Sequence, residues 1–185
     1  MPSTRRDFLK QGAVAGGAVW AVPKITSLPI AQGNVGTPVA ICGWMTGGGV
    51  QFLDGPGRDH VTYGFRLECS TADGPNQLQI NWGPGKSFHM DQMTSAICSD
   101  SPDIEPPPPA ADFDTHTGTG TGTYKAKGKS QQANVAWEIR DAGEPGGANA
   151  GGQDSIFFKV TSTSGEQLFV LGPIFGGNNQ AHRCH

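Results

Sequence analysis

Three carboxylates, Asp141, Glu144 and Asp154, lie in one Gly-rich stretch that directly follows a strand-like run. Hard oxygen ligands on a pliable loop are the chemistry of calcium, with carbonyl oxygens completing about six to eight ligands at about 2.3–2.6 Å. The spacing is not that of an EF-hand. The same residues also fit a hairpin turn in which Asp141 accepts backbone N–H groups and Pro145-Gly146 sets the bend.

Other residues have chemical potential without a recognised spacing. Gln180, His182, Cys184 and His185 form a cluster of soft-metal type, and His89-x-Asp91 places two ligand types on one strand face. A chain end that frays around a disulfide-bonded Cys184 is the simpler expectation for the first of these. Asp112, Asp114, Glu138 and Glu144 would supply the paired carboxylates of a glycosidase if the fold brought them together. Trp44, Trp82 and Trp137 would supply a sugar-stacking platform, but Trp82 and Trp137 fall on apolar strand faces where a core position is expected. No Gly-x-Ser-x-Gly elbow is present, so nucleophilic acyl transfer has no footing.

The elements that must position these groups are short strands. Of the 185 residues, 28 are Gly and 14 are Pro, which excludes long helices. No three-residue Gly period exists, which excludes collagen. In 60–69 the residues Val61, Tyr63, Phe65, Leu67 and Cys69 alternate with polar ones, and 77–82 repeats the pattern with Leu78, Ile80 and Trp82. Asp73-Gly74-Pro75-Asn76 between them is turn chemistry, so the pair predicts a hairpin. Phe88 and Met90, then Val135, Trp137 and Ile139, then Ile156, Phe158 and Val160, then 168–171, continue the series. Residues 117–123 alternate Thr with Gly, giving a strand with one bare face against which something packs closely. The four consecutive prolines at 106–109 mark an extended inter-strand loop. These patterns predict an all-β fold, an antiparallel meander of about eight short strands in a small closed or nearly closed barrel, with a β-sandwich as the alternative.

Residues 1–31 read as an address. Arg5-Arg6 followed by Phe8-Leu9-Lys10 and a dozen mildly apolar residues look like a twin-arginine export signal, cleaved after Ala21 or, preferably, Ala31. The apolar run is shorter than the roughly 20 residues of a spanning helix, so no permanent membrane span is expected. The segment carries Arg5, Arg6, Lys10 and Lys24 against Asp7, and its removal takes the net charge from −3 to −6. An acidic chain without a basic stripe excludes nucleic acid as the natural partner and leaves a cation as the charge-compatible small ligand. Residues 32–43 read as a flexible lead-in and 44–185 as one β domain. Four cysteines in an exported chain predict two disulfides. Of the three possible pairings, Cys69 with Cys98 and Cys42 with Cys184 is expected, the second closing the whole domain and setting the first and last strands side by side.

Thr46-Gly47-Gly48-Gly49, Gly64-Phe65, Thr94-Ser95-Ala96, the Thr/Gly strand, Asp141 to Gly146 and Gly177-Asn178-Asn179-Gln180-Ala181-His182 occur in this order across 44–182. In this the chain resembles a recurrent secreted bacterial β domain of adhesin-like and Ig-like modular proteins. The resemblance implies a secreted accessory or binding domain and no catalytic mechanism. The expectation is therefore an extracytoplasmic binding or structural module, calcium-stabilised through Asp141, Glu144 and Asp154, with a cell-surface or extracellular polymer as partner. A small secreted carbohydrate-active hydrolase is the alternative.

Overall fold

A period of two sends alternate side chains to opposite faces of a strand, and the runs of alternating apolar residues decide which face turns inward. The computed structural model describes residues 42–53, 59–104, 111–143, 153–165 and 167–184. The export signal read at 1–31, the lead-in up to residue 41, the prolines at 106–109 and Glu144 lie outside the described residues. Among the described residues there are nine strands and no helix: β1 (Gly43–Phe52), β2 (His60–Glu68), β3 (Gln77–Trp82), β4 (Lys86–Ser99), β5 (Thr115–Ala126), β6 (Lys129–Arg140), β7 (Ser155–Ser162), β8 (Gln167–Pro173) and β9 (Gly176–Arg183). No helix among them is long and apolar enough to cross a membrane.

Every pairing is antiparallel, and the spatial order is β8-β7-β6-β5-β4-β3-β2-β1-β9. The predicted all-β meander is present, with nine strands where about eight are expected, and the chain from Leu168 onward supplies two of them, the run at 168–171 and the Gly-rich last strand. β8 pairs with β7 as far as Ser155↔Pro173, and β9 pairs with β1 from Val50↔Gly176. One short run of chain thus passes from one end of the sheet to the other. A flat sheet could not satisfy both pairings, so the sheet curls strongly into a half-barrel, and the two-sheet sandwich is set aside. The first and last strands lie side by side, as the cysteine spacing predicts.

The inward set forms one core that includes Met45, Tyr63, Phe65, Leu78, Ile80, Trp82, Phe88, Trp137, Ile139 and Phe158. Burying each such side chain contributes about 1.5–3 kcal/mol. So many rings fit a narrow interior because the facing strands are bare. On β5 the glycines of the Thr/Gly alternation point inward, and a Cβ at Gly118 or Gly122 would overlap the Trp137 ring or the His89 carbonyl. A Cβ at Gly47 would collide with the ring of Phe65 and the carboxamide of Asn179. Opposite β5, register shifts at Met90/Gln92 and Met93/Ser95 bend β4 and tighten the curl.

Both disulfides form as expected. Cys42–Cys184 joins residues 142 apart and Cys69–Cys98 residues 29 apart. In the loop-entropy account the longer loop restricts the unfolded chain more, by about 1.4 kcal/mol between these two. Urea denaturation of the Cys42→Ala/Cys184→Ala pair is expected to show a larger loss of stability than that of the Cys69→Ala/Cys98→Ala pair. An equal or reversed order would refute that account here.

Candidate functional site

Of the carboxylates read as calcium ligands, Asp141 and Asp154 stand where β9 meets the ends of β6 and β7, while Glu144 lies outside the described residues. One edge of β9 is paired with β1, which leaves the N–H groups of Asn179 and Ala181 directed away from that ladder. Asp154 Oδ2 accepts the Asn179 N–H at 2.6 Å and Asp141 Oδ2 accepts the Ala181 N–H at 2.8 Å. Their other oxygens accept N–H groups of the chain after β6: Asp154 Oδ1 from Ala142 and Asp141 Oδ1 from Gly143, each at 2.9 Å. Two buried carboxylates therefore do the work of a missing strand, and charge-assisted bonds of this kind are the strong ones. The turn in which Asp141 accepts backbone N–H groups is present.

Asn179, fully buried, completes this seam. Its Nδ2 donates to the Arg140 carbonyl at 3.1 Å, and its Oδ1 accepts the Tyr63 hydroxyl at 3.1 Å. Burial, and after it the Asp154 charge, push the Tyr63 hydroxyl above its ordinary range and keep it a donor. Asn179 belongs to the terminal motif noted above. The motif was visible in the sequence, but nothing local told which of its polar residues points inward.

A second polar device crosses the interior. His116 on β5 is fully buried. Its Nδ1 accepts the Trp137 indole N–H at 3.0 Å, which leaves Nε2 to donate to the Glu68 carbonyl at 3.1 Å. The bond from Trp137 requires the neutral ring, and burial lowers its pKa. Nearby, Asp114 accepts the Ser101 N–H at 3.0 Å and the Thr115 hydroxyl at 2.6 Å, and burial raises its carboxyl against those bonds. Sequence reading missed His116, since Thr115 to Thr117 gives no sign that the imidazole faces inward.

The remaining candidates fall apart in space or in role. Asp112 pairs with Arg183 at 3.0 Å and Glu138 with Arg140 at 2.9 Å, both at the surface. Asp91 accepts the Thr123 hydroxyl at 3.0 Å, and His89 is exposed beside it on the outer face. The chain end does not fray through 183: β9 is a paired strand, His182 Nε2 lies 2.8 Å from the Thr46 hydroxyl, and Cys184 is in its disulfide. His185 is outside the described residues. Among the described residues no group of three or more His, Cys, Asp or Glu is arranged to hold a metal ion.

Of the three tryptophans, Trp82 and Trp137 are in the core, as their strand faces predict, and Trp44 is on the outside. Its ring stacks on His182 with centroids 5.2 Å apart, and the Arg66 guanidinium lies 5.7 Å from its centroid. Arg66 in turn bridges Glu68 at 3.2 Å. Trp44, Arg66 and Glu68 line a depression of about 440 Å³ bordered by both disulfides. No family model, curated protein or solved structure matches the chain.

Two expectations follow from the seam and the histidine strut. Asp154→Asn puts an amide N–H against a backbone N–H, and urea denaturation is expected to show a loss of about 2–3 kcal/mol; an unchanged midpoint would remove the seam from the account. For His116 the unfolded chain takes up a proton near pH 6.5 while the folded chain resists it. Its contribution is whole above pH 6.5 and declines as pH falls toward the lowered folded value, by at most about 1.4 kcal/mol per unit. His116→Phe is expected to be less stable at pH 7 and to have a shallower slope of stability between pH 7 and 5.

Proposed function

We propose that this chain is an extracytoplasmic binding or structural module, exported by the twin-arginine machinery, whose partner is a cell-surface or extracellular polymer. The observation that carries this reading is the use made of the buried titratable groups. Tyr63, Asp114 and His116, whose protonation is displaced, are all enclosed and hydrogen bonded within the fold. A catalytic centre would instead present such a group to a concave approach. The paired disulfides support an oxidising destination. The residual charge of −6 after signal removal supports a partner other than nucleic acid.

A calcium ion held by Asp141, Glu144 and Asp154 would add to a seam that backbone N–H groups already build. A small carbohydrate-active hydrolase draws on Asp112, Asp114, Glu138 and Glu144; the first three are each engaged with a neighbour, and Glu144 lies outside the described residues.

The test is co-sedimentation of the oxidised full chain with isolated cell envelopes and with insoluble polysaccharides, with reducing ends assayed in the same tubes. Sedimentation without new reducing ends is expected. Release of reducing ends would replace the module with the hydrolase, and a chain that stays in the supernatant throughout would overturn the binding role.

A further inference from the structure

The sheet has two ends, and the fold treats them differently. At one end β9 takes its ladder from β1, and its N–H groups at Asn179 and Ala181 are held by Asp154 and Asp141. At the other end β8 pairs with β7 alone, and among the described residues nothing takes up its second edge over 167–171. Gly172 then leaves the strand conformation with a φ of +129°, and the Pro173 carbonyl accepts the Gln51 carboxamide. The open run ends there. A depression of about 360 Å³, with Leu53, Trp82 and Pro84 on its far side, leaves the start of the run, Gln167 to Phe169, facing solvent.

An open edge is a row of N–H and C=O groups ready to pair with another strand, and folds that stay single blunt it with charges, a proline within the run or a cover. Among the described residues β8 shows none of these. Gln167 to Gly172 carries no charge, and Pro173 stands past the open run. The outer side chains of the run are apolar instead, with Phe169 60% and Leu171 66% exposed. Phe157 on β7 lies beside Leu171 and meets the Phe169 ring edge-on, with centroids 5.5 Å apart, so three apolar side chains form one patch at the edge.

We propose that two copies of this chain pair edge to edge along β8 and join their sheets into one. Because the N–H groups of β9 are already held, β8 is the edge each copy has to offer, so head-to-tail growth lacks a second surface and a two-fold contact closes at two. A copy also brings, by symmetry, the same uncharged run of the same length. Phe169 is the middle of that run, and a two-fold axis there sets Phe169 opposite the partner's Phe169 and Gln167 opposite the partner's Leu171. With Phe157 at the flank of each, four rings meet on the outer face, and aromatic pairs across strands are favourable ones. Lys159 lies beside Phe169 on β7, which puts the two lysines three strand spacings apart, about 14 Å and beyond the screening length of about 8–10 Å. Size sets the strength. A ring of this kind covers about 150–250 Å², so Phe169 and Leu171 bring about 200–250 Å² per copy against the about 800 Å² per partner of a stable interface. The ladder adds to this without reaching it, so the dimer is reversible, with a dissociation constant on the order of tens of micromolar. This stands apart from the module reading above.

The test is sedimentation equilibrium of the oxidised full chain from about 1 to about 500 µM, for wild type, Phe169→Lys, Leu171→Lys and, as control, Ile97→Lys. Ile97 is 63% exposed on β4, four strands from β8. Wild type is expected to pass from monomer to dimer over that range and to stop there. Both edge variants are expected to weaken the dimer at least tenfold while the dilute chain melts as wild type does, and Ile97→Lys to leave the dimer as it is. Hydrogen exchange of concentrated wild type is expected to slow at the amides of 167–171 that face away from β7. A wild type that stays monomeric, growth past the dimer, or an equal loss from Ile97→Lys would overturn the edge pairing. A dimer whose 167–171 amides exchange as fast as those of the monomer would overturn it too. None of these outcomes bears on sedimentation with cell envelopes, so the module reading stands or falls separately.

Discussion

Everything in this fold depends on how the last strand is held. β9 takes a full ladder from β1 on one side, but on the other it meets the ends of β6 and β7. An unpaired edge there would leave buried N–H groups without partners, at about 1–3 kcal/mol each. Asp141 and Asp154 remove that cost by placing carboxylate oxygens where a neighbouring strand would have placed carbonyls. Because each carboxylate also holds an N–H of the chain leaving β6, the same two residues join three elements. The Cys42–Cys184 bridge then ties the far ends of β1 and β9, so covalent and polar closures act on the same pair of strands.

The curl that this closure requires explains the glycines. A tightly curved sheet has little interior, and this one fills it with rings from β2, β3, β6 and β7 laid against the bare inner faces of β1 and β5. The polar strut from Trp137 through His116 to Glu68 is tolerated inside because each donor has an acceptor. The interior is thus filled, with Tyr63, Asp114 and His116 hydrogen bonded inside it, and the opposite strand faces form the outer surface. There the glycine at 64 stands apart from the others, since it relieves no crowding.

Much of this was legible in the chain itself. The alternation of Val61 to Leu67, of Leu78 to Trp82 and of Val135 to Ile139 named the strands and their buried faces, and the Thr/Gly run announced a close approach. The separation of the run at 168–171 from the Gly-rich last strand was legible too, and Cys42 with Cys184 set that last strand beside the first. Asp141 and Asp154 were recognised as oxygen donors with something to hold. What they hold was beyond local reading, since the Asn179 and Ala181 N–H groups lie 25 and 40 residues away along the chain.

By itself the sequence determined the all-β class, the inward set of each strand, the pairing of the four cysteines and the turn at Asp141. These follow from patterns of period two, from turn chemistry and from the count and placement of a few residues. Only the tertiary structure decided between the curled sheet and the sandwich, and decided that two carboxylates serve as its seam, that His116 lies inside, and that Gly48 is packed while Gly64 is open. Those outcomes depend on which distant strands become neighbours. No local pattern encodes that choice, because the same alternation satisfies any partner until the closure selects one.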